Sequence, residues 1–148
     1  AEGPVASKTA SMTTRPSAEM RRAVVERARD HCEYCLMHQS LAATAHQVDH
    51  VIAEKHGGET VADNLALSCS LCNRRKASDI GSVDPVTGNL VRLFNSRTQA
   101  WSEHFELDDA EIVGLTPEGR VTVVFLQLNA YERALERIAA IKAGVYPI

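Results

Sequence analysis

The sequence lacks any long hydrophobic run, since no segment approaches the ~18 consecutive apolar residues of a membrane span. Its first residues also lack the basic-then-apolar pattern of a secretory signal, so we expect a cytoplasmic protein with no membrane partner. An excess of one charge is missing too, because 16 basic and 19 acidic residues leave a net charge of −3. Bulk charge therefore does not indicate nucleic-acid binding, and any such function must depend on local clusters.

The chain is long enough for one domain with a hydrophobic core. It has 148 residues, of which 45% are hydrophobic, and this excludes a wholly disordered chain. Residues 1–16 are small and polar, and we expect a flexible tail or a vector-derived remnant there. Residues 17–148 are expected to form a single domain, with a core at about 20–80 and a C-terminal extension at about 81–148.

The cysteines are few and fall into two C-x-x-C pairs, Cys32/Cys35 and Cys69/Cys72. Such pairs can supply four thiolates to one tetrahedral Zn²⁺, with Zn–S bonds of ~2.3 Å. A disulfide framework would need a secretory context, and a redox C-x-x-C would leave the second pair without a role. Two matched pairs therefore favour structural zinc, which closes a loop far longer than the ~15–20 residues of a zinc ribbon.

Polar residues inside and just after this loop fit the chemistry of phosphodiester hydrolysis. Asp49 and the side-chain amide of Asn73 offer oxygen ligands to a hard cation such as Mg²⁺ or Mn²⁺. His50 can deprotonate water near neutral pH, and Asn64 can brace the loop or the imidazole ring. Adjacent residues of a regular strand point to opposite faces, so Asp49 and His50 share a site only where the strand bends or ends.

These residues together resemble the HNH endonuclease family. The resemblance lies in C-x-x-C, V-D-H-V-I-A, H-G-G and D-N-L-A-L-S-C-x-x-C-N-R-R-K, and it covers about residues 20–80. A departure is Ala53, where many members have proline. The segments L-F-N-x-R-T-Q-x-W-S-E-H-F at 93–105 and G-L-T-P-E-G-R at 114–120 are similar to a bacterial subgroup of the family.

The resemblance implies a fold, an activity and roles for individual residues. It implies an α+β fold with a ββα-metal (HNH) core stapled by a four-cysteine zinc site, an extra N-terminal helix and a C-terminal αβ extension. The implied activity is DNA hydrolysis with one divalent ion, by nicking or double-strand cleavage. Asp49 corresponds to the acidic metal ligand, His50 to the general base, Asn64 to the middle asparagine and Asn73 to the final motif position.

Contacts with nucleic acid are predicted for a small basic cluster and one histidine. Arg74, Arg75 and Lys76 adjoin Asn73 and suit flanking phosphates, and His56 beside the Gly57-Gly58 turn can hold substrate. DNA, or another nucleic acid, is the expected partner, and a homodimer or larger complex is also expected. The alternatives are a zinc-supported nucleic-acid-binding module or scaffold without cleavage, and a thiol-redox protein with accessible cysteines.

The C-terminal extension gives two further predictions about helices. Thr116-Pro117 is typical of a helix start, whereas V-T-V-V-F-L-Q-L favours a strand by residue type, so both structures stay open there. A final helix is predicted with Asn129 as its N-cap and Gly144 at its end. Its apolar stripe consists of Tyr131, Ala134, Leu135, Ile138 and Ala139.

Overall fold

The computed structural model describes residues 15–147, so most of the predicted tail at 1–16 lies outside the described residues. Within residues 15–147, five α-helices occur in chain order: α1 (Ala18–Ala28), α2 (Ser70–Lys76), α3 (Trp101–His104), α4 (Pro117–Phe125) and α5 (Tyr131–Lys142). In the same described part of the chain, six strands form three antiparallel pairs: β1 (Gln47–His50) with β2 (Leu65–Ser68), β3 (Gly81–Val83) with β4 (Leu90–Arg92), and β5 (Phe105–Asp108) with β6 (Glu111–Gly114). The predicted α+β class is confirmed. Within residues 15–147, no helix is long and apolar enough to cross a membrane.

Helix α1, the expected N-terminal helix, begins with a side-chain cap. The Ser17 hydroxyl accepts a hydrogen bond from the Met20 amide at 3.1 Å, which satisfies one of the free amides at the helix start. The helix ends at Arg29, whose left-handed backbone (φ 53°) turns the chain towards the first cysteine pair. Val24 on its inner face is fully buried and packs with Leu65 and Leu67 of β2. Strand β2 is thereby held between α1 and the cysteine-bearing segments.

The hairpin β1–β2 and helix α2 carry the predicted site residues. Register runs from Gln47 opposite Ser68 to His50 opposite Leu65, and β1 ends at His50. Helix α2 follows β2 directly, with Cys69 as its N-cap. Because β1 ends at His50, the adjacent side chains of Asp49 and His50 can face the same site.

The segment after Thr116, for which the sequence leaves both a helix and a strand open, forms helix α4. The Thr116 hydroxyl accepts a hydrogen bond from the Gly119 amide at 3.1 Å, and Pro117 occupies the first turn. This start outweighs the β preference of the valine-rich segment that follows. The helix is tied to the β3–β4 hairpin by Arg120, whose guanidinium forms two hydrogen bonds with the buried Asp84 carboxylate, at 2.7 and 3.1 Å.

The C-terminal extension packs directly on the cysteine pairs, and one hydrophobic cluster contains both. Its members from the extension are Phe94, Phe105, Ile112, Leu126, Leu128, Ala140 and Tyr146. Two polar contacts reinforce the packing: the Trp101 indole N–H donates to the Tyr34 carbonyl at 2.9 Å, and the Tyr146 hydroxyl to the Cys35 carbonyl at 2.8 Å. The extension is thus part of the core that surrounds the cysteines.

The start and orientation of α5 differ from the sequence prediction. Asn129 is not the cap, because its amide forms two hydrogen bonds with the Ile112 backbone, and Ala130 occupies the cap position. The buried face of α5 consists of Arg133, Arg137 and Ala140, whereas most of the predicted apolar stripe is exposed. Gly144 follows the helix with φ 75°, as the prediction of the helix end requires.

Candidate metal centre and active-site cleft

The four cysteines lie together in the interior. Their sulfur atoms are all within 4.8 Å of one another, and the Cys35 and Cys69 sulfurs are 3.8 Å apart. Four bonds of ~2.3 Å in tetrahedral geometry place sulfurs about 3.8 Å apart, so the cluster fits a structural zinc ion. A disulfide would need sulfurs ~2.05 Å apart, and the cysteines are free and buried. Burial also argues against an accessible redox pair.

Backbone amides point at these sulfurs, as they do around a thiolate. The Cys32 sulfur accepts hydrogen bonds from the amides of Tyr34 and Cys35, at 3.5 and 3.4 Å. The Cys69 sulfur accepts one from the Cys72 amide at 3.4 Å. Burial raises the pKa of the Cys32 thiol well above its ordinary value, so ionisation at this position needs a neighbouring cation.

Arg133 of α5 is a buried cation that contacts the cluster. One guanidinium nitrogen donates to the Cys72 sulfur at 3.0 Å and lies 3.6 Å from the Cys69 sulfur. Its other terminal nitrogen donates to the Leu126 carbonyl at 2.9 Å. Burial alone would lower the pKa of this guanidinium, but the sulfurs outweigh it and the pKa is raised. Arg133 thus adds positive charge to a cluster whose four thiolates exceed the charge of one Zn²⁺.

A second site is a cleft of about 380 Å³ at the end of β1. Asp49, His50 and Asn73 all line it, together with Glu54. The strand supplies the first two residues at its last positions, and α2 supplies Asn73 from the opposite wall. The structure thus brings together three of the predicted catalytic residues.

The ring of His50 is held by the Thr60 hydroxyl, which is itself held by the Glu54 carboxylate. Its Nε2 lies 2.8 Å from the Thr60 hydroxyl oxygen, and this hydroxyl donates to a Glu54 carboxylate oxygen at 3.3 Å. A hydroxyl has one hydrogen, so when it donates to Glu54 it accepts from Nε2–H of His50. This tautomer leaves Nδ1 of His50 as the basic nitrogen.

The side chain of Asn73 is oriented by the first residue of β1. Its amide nitrogen donates to the Gln47 side-chain oxygen. Because the nitrogen is engaged in this way, Oδ1 is the atom that Asn73 can offer to a cation. Together with the Asp49 carboxylate it forms a donor set of hard oxygens, which suits Mg²⁺ or Mn²⁺.

Asn64 lies beside this cleft in a supporting position. Its amide nitrogen donates to the carbonyls of Ile52 and Glu59, both at 2.9 Å, and its oxygen accepts from the Ile52 amide at 2.9 Å. A side chain at Gly58 would place its Cβ 1.7 Å from the Ile52 carbonyl oxygen, so only glycine permits this close approach. Asn64 therefore fixes the loop that follows His50.

The predicted nucleic-acid contacts are placed in different environments. Arg74 and Arg75 are exposed on α2. His56 is exposed, and its Nε2 lies 3.0 Å from the Ser78 carbonyl oxygen, which ties the loop to the segment after α2. Lys76 differs from expectation because it is only 3% exposed and its ammonium donates to the His50 carbonyl at 3.3 Å. Burial lowers the pKa of Lys76, and its position is that of a structural link between α2 and the end of β1.

Sequence reasoning missed Glu54, Thr60, Gln47 and Arg133. Thr60 and Glu54 flank a turn and belong to no motif that marks them. Arg133 lies 61 residues after Cys72, and its contact depends on how α5 docks. No pattern in the sequence marks this role, because Arg133 lies on the polar side of the helix, and only the structure shows that this side is buried.

Comparison with known proteins finds one family, and its match spans the residues of both sites. Residues 32–79 match the family model described as HNH endonuclease, and this span contains the four cysteines, Asp49, His50 and Asn73. No curated protein and no solved structure matches the chain. Residues 32–79 are therefore similar to an HNH endonuclease domain, and the four cysteines that could hold a metal ion all lie within this span.

Proposed function

We propose that the protein is a metal-dependent endonuclease that hydrolyses phosphodiester bonds in DNA. The observation that carries the proposal is the convergence of Asp49, His50 and Asn73 on one cleft, within a segment that matches the HNH family. A module that only binds nucleic acid has no need for a carboxylate, an oriented imidazole and an amide oxygen at one place.

His50 is the general base of the proposed reaction. Its Nδ1 takes the proton from the attacking water, while Nε2–H stays bonded to the Thr60 hydroxyl. Glu54 accepts from that hydroxyl and so favours the positive imidazolium that forms. The carbonyl of His50 is held by Lys76, which keeps the end of β1 fixed while the proton moves.

A divalent ion such as Mg²⁺ or Mn²⁺ would be held by the Asp49 carboxylate and Oδ1 of Asn73. When bound, such an ion supplies positive charge to the scissile phosphate and the leaving oxygen. Arg74 and Arg75, exposed on the helix that carries Asn73, hold the flanking phosphates by charge. Few basic residues surround the cleft, so the affinity for DNA is expected to be weak, and added salt should weaken it further.

Zn²⁺ at the four cysteines has a structural role in this proposal. Cys32 and Cys35 precede the β1–β2 hairpin, and Cys69 and Cys72 begin the helix of Asn73. Zinc thereby fixes α2 relative to β1, which sets the distance between the two halves of the cleft.

Plasmid nicking by the purified protein tests the proposal. Supercoiled DNA should become open-circular or linear with Mg²⁺ or Mn²⁺ and stay intact with EDTA. Asp49→Asn should lower the rate about 100-fold or more, because it removes the carboxylate that holds the ion. Asp108→Asn, at an exposed carboxylate on the β5–β6 hairpin, is the matched control and should keep the wild-type rate. Binding of DNA in a gel-shift experiment without cleavage in either metal would instead favour the non-cleaving module.

A further inference from the structure

Helix α5 turns its polar side inward and its apolar side outward. Arg133 and Arg137 are buried, and the latter donates to the Ala110 carbonyl and the Asn129 side-chain oxygen, both at 2.7 Å. The outer side carries large apolar side chains that are between 37% and 74% exposed. We name this surface the outer stripe; it consists of Tyr131, Leu135, Ile138 and Ile141 on the helix, and of Val145, which follows the end of the helix and the left-handed Gly144.

The outer stripe is not explained by the core of the protein. Surface helices normally bury their apolar face, because burial of such side chains stabilises the fold. Here the inner face is occupied by arginines that satisfy carbonyls and contact the cysteine sulfurs. A contiguous exposed apolar stripe of this kind is typical of an interaction surface.

We propose that the outer stripe is a homodimer interface, in which two copies of the chain pack α5 against α5 in antiparallel orientation. The spacing of the stripe supports this partner. On the helix itself, Leu135, Ile138 and Ile141 are three residues apart, so this central part of the stripe has the same spacing from either end. A two-fold axis at Ile138 then places Leu135 at the level of the partner's Ile141. Such self-complementarity is the defining property of an interface between identical subunits.

The charges beside the outer stripe favour the same arrangement. Glu132 and Glu136 are exposed in the N-terminal half of α5, and Lys142 is exposed at its end. With about 3.6 residues per turn, Lys142 lies on the flank of the stripe that carries Glu132. The antiparallel pairing places the partner's Lys142 at the level of Ala134, between these two glutamates. A parallel pairing would instead place each glutamate at the level of its own copy.

DNA and a membrane surface fit the outer stripe less well than a second copy of the chain does. Two glutamates along the outer stripe repel a DNA backbone, and arginine side chains are absent from its exposed side in the described helix. A helix that lies on a membrane surface is rich in lysine and arginine along its polar face, whereas the polar flank of this stripe is mainly acidic. A second copy of the chain supplies both the apolar surface and the positive charge.

Sedimentation equilibrium of the full chain tests the proposal without any reference to its activity. The wild-type mass should rise with concentration from 16.2 kDa towards twice that value. Ile138→Glu places two carboxylates on the two-fold axis and should weaken the dimer about 30-fold or more. Val86→Glu, at an apolar residue of the β3–β4 hairpin that is 70% exposed, is the matched control and should leave the dimer unchanged.

Charge reversal tests the antiparallel arrangement itself. Lys142→Glu should weaken the dimer about fivefold, because each of two symmetric contacts becomes repulsive. Adding Glu132→Lys to that variant should recover part of the loss. These positions are exposed, so circular dichroism should show the wild-type fold throughout. A wild-type protein that is monomeric at all concentrations overturns the proposal, and so does a dimer that Ile138→Glu does not weaken or that the double reversal does not restore.

Discussion

Replacement of Arg133 by methionine tests whether the C-terminal helix stabilises the four-cysteine centre. Methionine is long and apolar, so the variant keeps the packing of the arginine stem. It lacks the guanidinium that donates to the Cys72 sulfur at 3.0 Å. Four thiolates around one Zn²⁺ carry an excess negative charge, and Arg133 is the buried cation that contacts it. We therefore expect Arg133→Met to bind zinc more weakly.

The magnitude follows from the strength of one charge-assisted hydrogen bond. Such a bond contributes about 1.5–3 kcal/mol, and every 1.4 kcal/mol is about tenfold in an equilibrium constant. The second sulfur contact, at 3.6 Å to Cys69, is long and adds little. The dissociation constant for zinc should accordingly rise about 10-fold to 100-fold.

Competition with a chromophoric chelator measures this constant directly, and Arg137→Met provides the matched control. Arg137 is equally buried on the same helix face, but its guanidinium contacts the Ala110 carbonyl and Asn129 instead of a sulfur. Both variants should unfold at a lower temperature than the wild type, because each loses buried hydrogen bonds. Only Arg133→Met should release zinc more readily. Equal zinc affinity in the two variants would show that the positive charge of Arg133 does not stabilise the zinc-bound cysteines.

Further predictions concern the loop, the base and the β3–β4 hairpin. Gly58→Ala forces a Cβ against the Ile52 carbonyl, so cleavage should be lost while metal analysis still finds one zinc per chain; an unchanged rate would contradict the close approach. Thr60→Val should lower kcat about tenfold at constant KM, with recovery in Thr60→Ser, and a change in KM alone would count against orientation of the base. The Arg120 guanidinium holds the pKa of Asp84 well below its usual ~3.9, so this pair stabilises the fold above about pH 4 and less as the pH falls below that value. Thermal unfolding from about pH 6 down to pH 3 should show a steeper loss for the wild type than for Arg120→Met, and parallel curves would exclude the pair as the cause.

Much of the fold around the cleft could be predicted because its signals are local. The Ser17 cap, the paired cysteines and the Gly57-Gly58 turn each act within a few residues of sequence. The strand-end position of His50 also follows from the need to bring two adjacent side chains to one site. Local patterns of this kind depend on the backbone more than on distant partners.

The C-terminal extension could not be predicted to the same degree, because its structure depends on distant contacts. Asn129 looks like a helix cap in the sequence, but the Ile112 backbone, 17 residues earlier, takes its side chain. The apolar stripe of α5 predicts a buried face, and that prediction is wrong because Arg133 and Arg137 find buried partners on the opposite face. Burial of Lys76 likewise depends on the carbonyl of His50, 26 residues away.

We propose that His50 activates water in a metal-dependent cleavage of DNA. The most direct measurement compares single-turnover cleavage by the wild type, His50→Ala and His38→Ala in Mg²⁺, with zinc content determined for each. His38 caps a short 3₁₀ helix and packs edge-to-face on the His31 ring, but it does not line the cleft, so its variant should keep the wild-type rate. His50→Ala should retain zinc and lose about 10²-fold to 10⁴-fold in rate. Equal rates for His50→Ala and the wild type would show that His50 is not the general base.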